Sequence, residues 1–276
     1  MSETLHRSQP IAVFDSGVGG LSVLKALVEL LPGEHFSFLA DERYLPYGDK
    51  PQHEITARVL ALSNWLKQQG NKALVIACNT ATAAGATQVR LQHPGWPIVG
   101  IEPAVKPATM MSKTGVVGIL ATTNTVASDR FRTLVERFDP LAHVLAKPCP
   151  GLVELIEQVP MDKSAVAAHL APVVNEFVSS GVDVIVLGCT HYPFVSDVIE
   201  SLAGPGVRVI ETGVPVARQL ASRLGEAGLM RPAGAARSDS QRVTFVTTGD
   251  PQRFSEKLSA LMGDAWRNSP VKQIAV

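Results

Sequence analysis

Apolar residues fall along this chain in two patterns. One is a set of short, mostly apolar runs, rich in Val, Ile and Leu, at 11–14, 36–39, 73–77, 98–101, 116–120, 184–187, 207–210 and 243–246. Strands buried on both faces read this way, because neither face needs polar residues. The other is apolar spacing of three and four, which predicts helices over 21–31, 54–69, 81–91, 129–137, 163–180, 214–224 and 251–262. Strands alternating with helices give an α/β fold with parallel sheets. No low-complexity stretch marks a linker; the segment 233–240 reads as a loop before the last strand and helix.

The pattern is also used twice. Leu74-Val-Ile-Ala-Cys-Asn-Thr80 is echoed by Ile185-Val-Leu-Gly-Cys-Thr-His191, each an apolar strand ending in a cysteine and small polar residues. Glu102 lies 24 residues after Cys78 and Glu211 lies 22 after Cys189, each following a β-type run and preceding a Pro-containing helix start. Upstream, the strand ending in Asp15-Ser16-Gly17 matches the one ending in Ala121-Thr122-Thr123. Three aligned echoes predict one α/β unit duplicated within the chain.

Composition narrows the functional classes. With 276 residues and 46% hydrophobic content, the chain can bury a full core. Lys plus Arg and Asp plus Glu each number 25, so there is none of the basic excess expected of a nucleic-acid-binding surface. Three cysteines without a CxxC pair make no disulfide framework and suit a reducing compartment. The N-terminus MSETLHRSQP lacks a signal-peptide core, and no apolar run is long enough to span a membrane. A cytoplasmic protein without membrane contact is expected.

In open parallel sheets ligands sit beyond the carboxyl ends of the strands, where Cys78 and Cys189 both fall. A helix start after each would help to ionise its thiol. A single free cysteine is more often packing than chemistry, and Cys149, with neither the repeated context nor a strand end, is read as structural. A redox dithiol would normally be a CxxC turn, Cys78, Cys189 and His191 are too few for a metal site, and nucleophilic catalysis leaves one thiol unused. Two opposed thiols suit a different chemistry, in which one removes a proton from one face of a carbon while the other returns a proton to the opposite face. Asp15 and His191 could assist one thiol each, although Asp15 could equally cap the next helix. Asn79, Thr80 and Thr190, with Thr122 and Thr125 after the matching strand, offer donors for a carboxylate. Gly17, Gly19 and Gly20 do not complete GxGxxG, since position 22 is Ser22, nor a phosphate loop; they read as a tight turn allowing close backbone approach. The segment 44–50 reads as a lid or wall of the cleft.

The stretches IAVFDSGVGGLSVLKAL, LPYGDK, ALVIACNTATA, VGIEPAVKPA, GILATTNTV and VIVLGCTHYPF, spread over about residues 10–220, resemble bacterial glutamate racemases. The resemblance implies two pseudo-symmetric parallel-sheet domains with the active site between them. The first would be 1–103 with a return segment 214–276, and the second 104–213. It implies a cofactor-independent, metal-free interconversion of L- and D-glutamate supplying peptidoglycan synthesis. Cys78 would act on the D-isomer and Cys189 on the L-isomer, assisted by Asp15 and His191. Asp15, Ser16, Tyr47, Gly48, Asn79, Thr80, Thr190 and His191 would contact substrate. A further glutamate belongs to such sites; Glu154 and Glu157 compete for it and neither is assigned. Dimers are common among these enzymes, so a homodimer is one candidate assembly. Some have an N-terminal extension that binds a cell-wall precursor as activator; only about ten residues precede the first strand here, so that dependence is not implied. The rivals are an aspartate or hydantoin racemase, disfavoured by the PYG and CNTA motifs, and a non-catalytic binding protein, which would need no thiols.

Overall fold

A computed structural model describes residues 6–138, 141–232 and 238–276. Residues 1–5 and 233–237, on which parts of the N-terminal and 233–240 loop expectations rest, lie outside them. The first half runs β1 (Ile11–Asp15), α1 (Leu21–Leu30), β2 (Phe36–Ala40), α2 (Gln52–Gln68), β3 (Ala73–Ile76), α3 (Asn79–Gln92), β4 (Ile98–Gly100) and α4 (Val105–Met111). The second runs β5 (Val116–Ala121), α5 (Thr123–Ala127), α6 (Asp129–Phe138), β6 (His143–Pro148), α7 (Leu152–Ile156), α8 (Lys163–Ser179), β7 (Val184–Gly188), α9 (Ser196–Ala203) and β8 (Arg208–Ile210). The chain then continues through α10 (Gly213–Glu226), β9 (Val243–Thr247), α11 (Pro251–Met262) and β10 (Val271–Gln273).

The strands form two all-parallel sheets, in the orders β10-β9-β2-β1-β3-β4 and β6-β5-β7-β8. The order β2-β1-β3-β4 is repeated as β6-β5-β7-β8, so the echoes in sequence mark equivalent positions in two copies of one unit. β9 and β10 extend the first sheet beyond β2, which returns the end of the chain to the first half.

The apolar runs have a direct explanation. Along β1, Ile11 and Val13 enter the core beneath α1, α10 and α11, while Ala12 and Phe14 enter the core beneath α2 and α3. Along β7, Ile185 and Leu187 face α7, α8 and α9, and Val184 and Val186 face α4 and α6. Both strands are covered on both faces, so Ile11–Phe14 and Val184–Leu187 are all apolar.

β6 and β10 were absent from the expected strands, and α4, α5, α7 and α9 from the expected helix ranges. β6 is an edge strand whose residues are half-buried or exposed and include Lys147 and Pro148, so it shows no apolar run. This changes the reading of Cys149. It directly follows β6, with its N–H bonded to Ala121 O at 2.9 Å, as Asp41 N–H bonds Asp15 O at 2.9 Å after β2. Cys149 therefore does stand at a strand end, contrary to expectation, and is the topological counterpart of Asp41. Among the described residues, no helix is long and apolar enough to cross a membrane.

Candidate active site

The carboxyl ends of β1 and β3 face those of β5 and β7 across a narrow cleft. Cys78 lines it from the first half and Cys189 from the second. Ser16, Tyr47, Gly48, Asn79, Thr80, Thr190 and His191 line it as well, so nine of the ten residues proposed from sequence share one cavity. Asp15 does not. It is fully buried behind the cleft, its carboxylate accepting from Gly17 N–H (3.0 Å) and from the Thr190 hydroxyl (3.3 Å). The backbone N–H of Gly20, the residue just before α1, also bonds this carboxylate. Cys149 and Glu154 also line the cleft.

The two thiols have different surroundings. Cys78 is the N-cap of the 14-residue α3, and its sulfur accepts the Ala81 N–H at 3.4 Å, with Ser16 Oγ at 3.7 Å. Burial, reinforced by the Asp15 carboxylate, pushes this thiol well above its ordinary pKa, against the pull of the Ala81 and Ser16 hydrogen bonds. At neutral pH it is a proton-loaded group. Asp15 is itself pushed up by burial, with His191 pulling the other way.

Cys189 does not sit at an α-helix start as expected: a short 3-10 turn, Tyr192–Val195, intervenes before α9. A cation takes the place of the helix dipole. His191 Nδ1 lies 3.8 Å from Cys189 Sγ, and its Nε2 lies 2.7 Å from Glu157 Oε1. The ring is only 2% exposed. Burial alone would lower its pKa, but the contacts with Cys189 and Glu157 raise it well above the ordinary value, so His191 is an imidazolium at neutral pH. Glu157 is the reciprocal case: burial would raise its carboxyl, yet His191 and Lys257 bring it down to about 2. Of the two unassigned glutamates, Glu157 holds the histidine and Glu154 faces the cavity. Cys149 is a buried thiol pushed up to about 12, first by desolvation and then by Cys189.

Contacts across the cleft hold the halves together. Thr80 Oγ1 meets Thr122 Oγ1 at 2.9 Å and Thr125 Oγ1 at 3.3 Å. Asn124 Nδ2 donates to Tyr47 O and Lys50 O, fixing the 44–50 loop as a wall. Tyr47 is anchored from behind, its hydroxyl donating to Asp41 at 2.5 Å while Arg58 grips the same carboxylate. On the other side Ser22 Oγ donates to Thr190 O at 2.8 Å and Val18 N–H to Glu157 Oε1 at 3.1 Å. The glycine reading is explained here. A Cβ on Gly19 would lie 2.3 Å from His191 Nδ1, and one on Gly17 2.4 Å from Glu157 Oε1.

Both polar atoms of the Asn79 side chain are buried without a hydrogen-bond partner although the residue lines the cleft. Such a group is costly unless a ligand completes it. Among the described residues, no cluster of three His, Cys, Asp or Glu could hold a metal ion.

Residues 11–220 match the family model for Asp/Glu/Hydantoin racemase. The curated glutamate racemase of Ectopseudomonas mendocina is 44% identical over 261 residues, covering 94% of this chain and 97% of the relative. A glutamate racemase of Bacillus anthracis superposes with a TM-score of 0.87 at 28% identity, covering 98% and 99% of the two chains. The Escherichia coli glutamate racemase, solved with L-glutamate and the activator UDP-MurNAc-ala, gives 0.81 at 28% identity over 97% and 98%. Similarity sustained over nearly the whole length, in sequence and in fold, means that the chain belongs to the Asp/Glu/Hydantoin racemase family and, within it, to the glutamate racemases.

Proposed function

We propose that this enzyme interconverts L- and D-glutamate by proton transfer between Cys78, the substrate α-carbon and Cys189, without an added cofactor. The observation that carries this reading is the placement of two buried thiols in one cleft, at equivalent strand ends of duplicated halves. In one direction the Cys189 thiolate takes the α-proton of L-glutamate and becomes a thiol. The Cys78 thiol then gives its proton to the opposite face and is left a thiolate, so proton count and charge balance over the turnover. The reverse direction exchanges the roles. His191, held by Glu157, supports the Cys189 thiolate. Asp15 acts from behind, on Cys78 and through Thr190.

Substrate carboxylate and amino groups would complete Asn79 and approach the N-terminus of α3, with Thr80 and Thr190 beside them and Ser16, Tyr47 and Gly48 closing the wall. We further propose that 1–103 with 214–276 and 104–213 act as two domains that part for substrate and close to exclude water from the proton transfer. The reading implies a cytoplasmic enzyme, where thiols stay reduced, supplying D-glutamate for peptidoglycan; a homodimer is its assembly to test by light scattering.

The test is loss of optical rotation from L-glutamate without added cofactor. Racemisation of glutamate well ahead of aspartate and hydantoins supports the assignment. Turnover of aspartate or a hydantoin alone would move the substrate, and silence on all of them would favour a binding protein.

A further inference from the structure

His191 is not the end of the polar chain leading away from Cys189. Glu157, at the end of α7 in the second half, uses Oε1 for His191 and Oε2 for Lys257 Nζ, 2.5 Å away. Lys257 lies on α11 in the return segment, a hundred residues along the chain. The same ammonium donates to Glu42 Oε1 at 2.8 Å, and Glu42 Oε2 accepts from the Thr247 hydroxyl at 2.7 Å. Lys257 is 18% exposed, and Glu157 and Glu42 are 7% and 8%. The row from Glu42 to His191 is thus largely out of water, where charge imbalance is costly. It contains two carboxylates and two cations.

We propose that Lys257 is a positioning residue for the reaction, closing a charge-balanced row Glu42–Lys257–Glu157–His191 that keeps the Cys189 side of the cleft able to form a thiolate. The inference rests on the two-thiol reading above. With Lys257, the row carries no net charge beside Cys189. Without it, one carboxylate is uncompensated, and a thiolate must form next to a net negative charge. Lys257 and the Val18 N–H both reach Glu157 from the first half, so the support is complete only when the halves are together. The carboxylate beside Cys78 is Asp15. The other titratable groups that face Cys189 or share its cleft are Cys78, Cys149, Tyr192, Tyr47, Asp49 and Glu154, with Asp15 behind Cys78, and the substitutions below leave all of them in place.

Iodoacetamide reads the thiolate directly, since the sulfur bonds to the methylene carbon as iodide leaves. The rate at Cys189 and at Cys78 would be followed against pH by mass spectrometry of the digested protein, alongside the pH profile of kcat/KM. Lys257→Met should raise the midpoint for Cys189 by about one pH unit, slowing its modification about ten-fold at neutral pH. Cys78 should stay within about two-fold, since its charged neighbour is untouched. Lys257→Arg should restore the profile. Glu42→Gln should move the midpoint the opposite way, and Glu42→Gln with Lys257→Met, which removes one charge of each sign, should return it towards that of the unsubstituted protein.

A merely structural lysine predicts otherwise: both cysteines shift alike, and the double variant is worse than the single. Either result, or an unmoved midpoint in Glu42→Gln, overturns the proposal. Glu42→Gln keeps the test decisive if Lys257→Met fails to fold. Racemisation surviving in Cys189→Ser would instead sink the two-thiol reading itself, whatever Lys257 does.

Discussion

Replacing Glu157 by glutamine removes the carboxylate that His191 and Lys257 share and changes little in size. The structure sets the magnitude. The gap between an ordinary glutamate at 4.5 and the value of about 2 reached here corresponds to about 3 kcal/mol in favour of the ionised side chain. The His191 contact is part of that same interaction and is counted once. A carboxyl whose pKa is depressed by folding stabilises the folded state fully above its unfolded pKa, and the contribution is lost as pH falls through the folded one. The unsubstituted protein should therefore exceed Glu157→Gln by about 3 kcal/mol near pH 7, a gap that shrinks as pH falls from about 5 towards 2. Urea denaturation of both proteins at several pH values from 7 to 3 measures it, and taking the difference cancels the other carboxylates. A gap that stays constant across the acidic range would refute the argument, because a loss of packing does not titrate. Racemisation should also fall, with kcat/KM lowered equally in the two directions, since an equilibrium constant of one ties them together.

Gly19→Ala places a methyl 2.3 Å from the buried His191 ring and 2.7 Å from Thr190 Oγ1, so kcat/KM should drop about a hundred-fold or more with circular dichroism unchanged. Gly225→Ala, in α10 with no atom within 4 Å of the added carbon, should keep full activity and gain about 0.5–1 kcal/mol in stability. Asn79→Ala should raise KM for glutamate by roughly ten- to hundred-fold while costing little or no stability, because both side-chain polar atoms lack a partner in the free protein. Steady-state kinetics and thermal melts separate these three.

Much of this architecture was legible because the strands are buried on both faces. The expected runs at 11–14 and 184–187 coincide with β1 and β7, whose alternate residues enter different cores. β6 was hidden by its edge position, yet the duplication offered a second signal: the strand 36–39 needed a counterpart between β5 and β7, and finding it would have put Cys149 at the cleft. The CNT and GCTH segments carry Cys78 and Cys189 because strand-end chemistry is local in sequence. Lys257 and Glu42 were not legible in that way. Lys257 meets Glu157 across 100 residues and Glu42 meets Lys257 across 215, and no spacing encodes such a meeting. Glu157 falls between these cases: it was one of two competing candidates in the sequence, and the 2.7 Å contact with His191 separates its role from that of Glu154.

The central claim is that two thiols act on opposite faces of one carbon, and isotope placement tests it most directly. L-glutamate would be turned over in heavy water, without cofactor, and its two isomers separated at early times. The account predicts deuterium at the α-carbon of the D-glutamate formed, delivered by the second thiol, and almost none in the L-glutamate recovered. Deuterium entering both isomers equally from the start would mean that a single group removes and returns the proton, and would contradict the account.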